Sequence, residues 1–437
     1  MRKILVKFAL FYLRLFAVIQ LFKIRPIIVG IGGASGKSSL ANFVSIIAAQ
    51  GFKIRETKGK NSETGIPLSI LKIDLLNYSS LYWLKALVLA PFRIIFDWEK
   101  FDILIAEMGI DSPFEPRNMD YLLKIVKPKI GVLTNISYEH SVYFEEVSKN
   151  KEKILELTYE QESKLLRAIP KDGAVVLNMD DFKINGIKGI KASKIKISAK
   201  NKLADFFIEK TETDLKKFKV SFFFKSQKYN LSINRPLPFH YAYSLVMALA
   251  VSYALKIEVK EAIKILEKNF SLPPGRLSIF EGKSGTTVID SSYNNATLAP
   301  ILDILDFLKK VSGKRRKVAI IGDMRELGII SESYHKKVAE KLLETTDLVF
   351  LVGPMAQKFM KPVLLKNKHN FYSFNTFSES KNVIKRNIEK GDVILVKSSQ
   401  NTLFLERAVE LLLKNSKDRA KLARRGKFWD KIRSKTT

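Results

Sequence analysis

The chain has no cysteine and only four histidines among its 437 residues. Disulfides, thiol nucleophiles and cysteine-held metals are therefore excluded, and a histidine-rich metal centre has little to draw on. Any divalent metal would lean on oxygen ligands, the preference of magnesium. Acidic residues are also scarce: 44 Asp and Glu stand against 75 Lys and Arg, a formal net charge of +31. That excess favours a polyanionic partner, whether nucleotide, nucleic acid or anionic membrane, although a lysine-rich bias spread over solvated faces gives the same number. The charge is scattered along the whole length and no nucleic-acid module accompanies it, so nucleic acid is not expected as a partner.

Charge-free apolar runs of the ~20 residues that span a bilayer are missing as well. Residues 3–24, KILVKFALFYLRLFAVIQLFKI, come nearest, but Lys3, Lys7 and Arg14 interrupt them along one stripe of a helix. No small-residue cleavage site follows, as a signal peptide requires. Two readings stay open: a helix lying in a membrane interface, or one packed on the protein itself. Repeats and low-complexity segments are absent.

What is present is length and apolar content, 46% of residues, enough for two or three domains with real cores. The chain is organised around Pro26–Ala49, PIIVGIGGASGKSSLANFVSIIAA. An apolar strand enters a loop carrying Gly32, Gly33 and Gly36, and Lys37, Ser38 and Ser39 open a helix. Such loops cradle nucleotide phosphates: backbone N–H groups and the helix N-terminus face the anion, Lys37 reaches the outer phosphates and Ser38 ligates magnesium. The longer form of the pattern places glycine where Ile31 stands, so the core here is G-x-x-G-K-S.

Beyond this unit, Thr57–Pro67 reads as a polar loop, and the apolar stretch Leu81–Trp98 as one broken by Pro91. Buried strands are expected at Asp102–Ala106, Ile130–Thr134 and Ala174–Leu177, with helical crossovers making a largely parallel sheet. The alternating runs between Phe206 and Ser232 read as antiparallel hairpin strands, followed by helices at Tyr241–Ala254 and Lys260–Asn269. SLPPGR at 271–276 is the best linker, and strands at Thr287–Ile289, Lys317–Ile321, Leu348–Val352 and Val393–Val396 predict a second doubly wound domain. Near the C-terminus, Phe428 and Trp429 are expected to pack back. The fold class is thus α/β: a P-loop central domain with a mostly parallel sheet, then a Rossmann-like C-terminal domain. Expected boundaries are a helix at 1–25, the central domain at 26–272 and the C-terminal domain at 273–437.

Chemistry-bearing residues fall at the expected strand ends, where open α/β sheets place ligands. Glu107 follows one strand in AEMG; Asn135, Glu139 and His140 follow another in TNISYEH; Lys151 opens a helix eleven residues on. Ser38, Glu107 and His140 together make a plausible shell for magnesium beside a triphosphate.

These segments resemble the Mur ligases of peptidoglycan synthesis. GIGGASGKSS looks like the family's shortened phosphate loop, AEMGIDSP its magnesium-glutamate segment and LTNISYEH its strand ending in asparagine and histidine. VSKNKEKI resembles the segment whose lysine is carbamylated, here Lys151, which would supply an oxygen ligand to a second magnesium ion. VVLNMDD, with Asn178, looks like the segment that closes on adenine. Further motifs are most like those of members that add D-alanyl-D-alanine to a UDP-linked muramoyl tripeptide: KNSETGIP with Asn61, PPGRLSIF with Arg276, and VIDSSYNNAT with Asp290 and Asn294. IGDMRELG with Asp323, Glu326 and the later His335 follows, and VKSSQ with Lys397 and Ser399 closes the series. Ala296, Thr297, Ser398 and Gln400 depart from the family's residues. The family also carries a uridine-nucleotide-binding domain ahead of the phosphate strand, where this sequence has only the residues before Pro26, so either the UDP end is gripped differently or the donor differs.

The resemblance implies ATP-dependent, ADP-forming amide ligation through an acyl phosphate. Lys37, His140 and Lys151 would serve catalysis, and Ser38, Glu107, His140 and Lys151 would hold magnesium, two ions in all. Gly33, Gly36, Lys37, Ser38, Ser39, Asn178, Arg276, Asp290 and Asn294 would bind the nucleotide, and Asn61, Asp323, Glu326, Lys397 and Ser399 the substrate. A monomeric cytoplasmic enzyme is expected, and the interfacial reading of residues 3–24 would give it peripheral contact at the inner membrane face. Two other readings are another ligase of the superfamily with a different acceptor, folylpolyglutamate-type or polymer-forming, and a non-enzymatic nucleotide-binding scaffold at the membrane surface.

Overall fold

The structure, a computed structural model, describes residues 2–57, 59–75, 79–96, 99–139, 141–293, 298–399 and 403–434. It divides into two compact units. One comprises Met1–Thr211, Val220–Ile233 and Tyr241–Phe270; the other comprises Glu212–Lys219, Asn234–His240 and Ser271–Thr437.

The first unit begins with helix α1 (Arg2–Ile24), then strand β1 (Ile27–Gly32) and helix α2 (Lys37–Ala48). Next come β2 (Ile54–Glu56), α3 (Gly65–Ile70), α4 (Ser80–Phe96) and β3 (Ile103–Glu107). They are followed by α5 (Met119–Leu123), β4 (Ile130–Leu133), α6 (Lys151–Arg167), β5 (Ala174–Asn178) and β6 (Ser193–Ser198). Strands β7 (Phe206–Thr213), β8 (Phe218–Phe224) and β9 (Gln227–Ile233) complete a sheet of order β2-β3-β1-β4-β5-β6-β7-β8-β9. Strands β1 to β6 all pair in parallel. Their apolar runs are buried almost end to end, as strands covered by helices on both faces require. A two-residue turn joins β8 to β9, with Lys225 (φ 49°) and Ser226 (φ 62°) both left-handed, the backbone that matches the strands' own twist.

The second unit holds β10 (Ser278–Glu281), β11 (Thr287–Ser291), β12 (Lys317–Gly322), β13 (Leu348–Val352), β14 (Phe371–Phe374) and β15 (Val393–Lys397), in the order β10-β11-β15-β12-β13-β14. Only β10 runs antiparallel; the rest form a doubly wound, Rossmann-like sheet. Its core packs Val318, Ile320, Phe350, Val352, Ile394 and Val396 beneath Phe377 and Leu405.

Three local expectations change. The polar loop ends earlier, because Gly65-Ile66-Pro67 is the buried first turn of α3, where proline's missing N–H is harmless. Pro91 does not break the apolar stretch; α4 runs through it as one helix. Phe428 stays 52% exposed, and only Trp429 turns inward, toward Phe404.

Candidate active site

Register builds the first half of the site. In the parallel sheet Ile31 pairs with Glu107, Gly32 with Leu133, and Leu133 with Leu177. The phosphate loop, Glu107, Asn135 and Asn178 therefore leave the sheet at one edge, though Gly33 and Asn178 are 145 residues apart in sequence. Gly33 (φ 105°) and Gly36 (φ 84°) take left-handed backbone that a side chain would strain. A Cβ on Gly33 would also collide with Thr134 and with the carbonyl oxygen of Asn135.

The loop is held open from behind. The carbonyl oxygen of Asn135 accepts from the Ala34 N–H at 2.9 Å, and its side-chain Oδ1 accepts from the Ser35 N–H at 2.9 Å. Glu162, buried on α6, accepts from the Gly33 N–H at 2.9 Å. The first-turn N–H groups of α2 have no carbonyl of their own helix to bond, and they carry the positive end of its dipole. Over them Lys37 folds back, its Nζ donating to the carbonyl oxygens of Gly33 and of Ala34, the latter at 2.9 Å. Ser39 is buried one residue beyond Ser38, inside the first turn of α2.

Ser38 Oγ donates to Glu107 Oε2 at 2.7 Å. Glu107 is buried, and its own N–H donates to Thr57 Oγ1 at 3.0 Å. The pair fits magnesium: two oxygen donors already in contact, one ionisable, beside a cradle for phosphates. Among the described residues no cluster of three or more His, Asp or Glu side chains surrounds a metal position. Magnesium does not need one, since it keeps waters and substrate phosphates as ligands. His140, expected in this shell, lies outside the described residues. Lys151 is the exposed first residue of α6, next to the Asn150 cap. Eleven residues, about three turns, separate it from Glu162, so both ride on the same side of the helix.

Asn178 Nδ2 donates to the Thr134 carbonyl oxygen at 3.2 Å, tying the end of β5 to that of β4. Just beyond it, Asp180 accepts from the Tyr243 hydroxyl at 2.6 Å, and burial with this bond pushes the phenol well above its usual range. Asn61 is brought beside the Glu107 segment, its carbonyl oxygen accepting from the Gly109 N–H at 2.9 Å.

The second unit gathers its own set at the carboxyl end of its sheet, where Asp290 pairs in register with Val396, and Lys397 with both Ser291 and Ile321. Asp290 is wholly buried, and Ser292 donates to its Oδ1 through both N–H, at 3.0 Å, and Oγ, at 2.7 Å. Burial raises this carboxyl to about 6, with Glu406 adding to the rise and Arg424 opposing it. Arg276 is half-buried and Asn294 lies outside the described residues. Asp323 Oδ1 accepts from the Ala356 N–H at 2.8 Å, and burial raises its carboxyl too. Ser399 Oγ accepts from the Arg325 N–H at 3.1 Å, Lys397 Nζ donates to the Ser398 carbonyl at 3.0 Å, and Glu326 holds a left-handed backbone (φ 63°). His335 is a positioning residue: fully buried, it donates from Nδ1 to the Ser331 carbonyl at 2.7 Å and accepts from the Met324 N–H at 3.1 Å. That arrangement requires the neutral ring, and burial lowers its proton affinity accordingly.

Two residues of the site escape sequence reasoning. Glu162 carries a weak signal, an acid on the buried face of α6 beside Thr158 and Leu165, which a buried charge needs a reason to occupy. Thr57 carries none.

The model of the Mur ligase middle domain matches residues 31–252, and that of the Mur ligase, glutamate ligase domain matches residues 275–400. The chain is 26% identical over 394 residues to the UDP-N-acetylmuramoyl-tripeptide--D-alanyl-D-alanine ligase of Buchnera aphidicola subsp. Baizongia pistaciae, covering 89% of this chain and 75% of that relative. It is 23% identical over 396 residues to the enzyme of the same name from Bacillus subtilis, covering 89% and 76%. Among solved structures, MurF from Acinetobacter baumannii superposes with a TM-score of 0.74 at 19% identity, covering 92% of this chain and 80% of that one. MurF ligase from Thermotoga maritima in complex with ADP gives 0.73 at 20%, covering 92% and 83%. These two likenesses are of fold. With both domain models matched in order along the chain, the protein belongs to the Mur ligase family.

Proposed function

We propose that this chain is an ATP-dependent, ADP-forming amide ligase of peptidoglycan precursor synthesis, joining D-alanyl-D-alanine to a UDP-linked muramoyl tripeptide. The observation that carries the reading is the Ser38–Glu107 contact beside Lys37 on the glycine loop, an oxygen pair and a cation set where a triphosphate's outer phosphates would lie. The names of the relatives supply the acceptor.

The peptide carboxylate attacks the γ-phosphorus, the bond to the bridging oxygen of ADP breaks, and an acyl phosphate forms. The amine of D-alanyl-D-alanine then attacks the acyl carbon, phosphate departs with the C–O electron pair, and the amine sheds a proton. Lys37 and the α2 N-terminus hold the charge developing on the transferred phosphoryl group. Ser38 and Glu107 and, in this reading, His140 and Lys151 as its carbamate would hold magnesium, which would supply positive charge against the phosphate oxygens. Gly33, Gly36, Ser39, Asn178, Arg276, Asp290 and Asn294 are assigned to the nucleotide, and Asn61, Asp323, Glu326, Lys397 and Ser399 to the peptide substrates. The enzyme works as a monomer in the cytoplasm, with residues 3–24 touching the inner membrane face.

The test is phosphate release on adding UDP-muramoyl tripeptide and D-alanyl-D-alanine, with the product weighed by mass spectrometry. A product heavier by the dipeptide is expected. Turnover without that gain would move the chain to another acceptor, and no turnover at all would leave a nucleotide-binding scaffold.

A further inference from the structure

Helix α1 is apolar on two opposite faces. Leu10, Leu13, Ala17 and Leu21 form one stripe and are buried. On the opposite side Leu5, Phe8, Phe11, Leu15, Val18 and Phe22 recur at three- and four-residue spacing and are exposed, Phe22 at 73%. Helix α4 repeats the pattern: Ala86 and Ala90 are buried, while Leu81, Leu84, Val88, Phe92, Ile95 and Phe96 are exposed, Leu81 at 73%. The two helices pack together, α1 also against α3. Their C-terminal ends meet where Lys23 Nζ donates to the Ile94 carbonyl oxygen at 2.7 Å. More than half of the exposed large apolar side chains among the described residues lie on these two helices. Water does not reward such a face, and a monomer of ordinary surface does not keep one this large.

Charge selects the occupant. Neither helix contains an acidic residue; α1 carries Arg2, Lys3, Lys7, Arg14 and Lys23, and α4 carries Lys85 and Arg93. By length and composition Leu5–Ile24 could also cross a membrane. Its rear stripe is already committed to packing, and the Arg14 guanidinium sits 4.9 Å over the Tyr121 ring. A spanning helix would give up both.

We propose that α1 and α4 together form one docking face that lies in the interface of an anionic lipid bilayer, apolar stripes in the acyl boundary and basic side chains among the headgroups. It widens the membrane contact proposed above for residues 3–24 by a second helix and a lipid class, and it stands or falls without any turnover being measured.

The test is flotation of the full chain with phosphatidylglycerol vesicles and with phosphatidylcholine vesicles. The wild-type chain rises with the anionic vesicles, much less with the neutral ones, and is released by alkaline carbonate. Phe8→Glu with Phe11→Glu, and separately Phe92→Glu with Phe96→Glu, each weaken vesicle binding by about tenfold or more, the burial of one such ring being worth at least that. All four side chains are more than half exposed, so thermal melting of the variants stays at the wild-type midpoint. Four results would overturn the proposal: no flotation; equal flotation on both lipids; loss from the α1 pair alone; or resistance to carbonate, which marks a spanning helix. A wild-type dimer in sedimentation that the same substitutions split would assign the face to a second copy and overturn it as well.

Discussion

Among the described residues Lys37 hydrogen-bonds only to its own loop, so its loss leaves the fold intact while removing the cation that meets the outer phosphates. Lys37→Ala is expected to lower phosphate release by about 10²-fold or more, with an unchanged thermal midpoint. Glu162 does the reverse kind of work. Glu162→Ala orphans the Gly33 N–H and costs about 1–3 kcal/mol, read as a lower urea midpoint together with weaker ADP binding. Asp290 gives stability a pH dependence. Its native carboxyl binds its proton up to about 6 against an unfolded value of 3.8, so the native state holds more protons across that window. Stability therefore falls as pH rises from about 4 to 6, by roughly 3 kcal/mol from this group, and stays lowered above it. Asp290→Asn keeps the acceptor for Ser292 and should flatten that part of the denaturation-versus-pH curve.

At the level of elements, the catalytic edge depends on connections that return to it. Helix α6 ends far from the phosphate loop in sequence, yet it delivers Glu162 beneath Gly33. In the second unit the segment after the last strand is anchored by the Arg424–Glu406 pair, both buried, with Arg424 also 5.1 Å over the Tyr293 ring. Glu406→Ala would leave the guanidinium buried and uncompensated. We expect a loss of about 3–5 kcal/mol in denaturant titration, the signature of a broken buried ion pair.

At the level of the whole molecule, a magnesium-nucleotide site makes two further demands. Chelation with EDTA should stop phosphate release, and magnesium should restore it, with no change in circular dichroism, since Ser38 and Glu107 bond to each other without the ion. Saturating ADP with magnesium should raise stability by about 2.7 kcal/mol at a hundredfold excess over its dissociation constant, a shift that Lys37→Ala reduces.

The α/β alternation, the glycine loop and the placing of Glu107 and Asn135 at strand ends were legible in the chain itself. Period and strand-helix spacing are local properties, and a phosphate loop is contiguous. Strand β2, three residues long, and Thr57 after it carry no local pattern and exist because β3 offers an edge to pair with. Parallel register decided that Ser38 meets Glu107 across 69 residues, and the crossover of α6 decided that Glu162 supports Gly33. Sequence left α1 open between packing and membrane, since both readings ask for the same apolar stripe. Only the packing of one stripe revealed that a second, opposite stripe remains unsatisfied: burial is a property of neighbours, and neighbours are set by the fold.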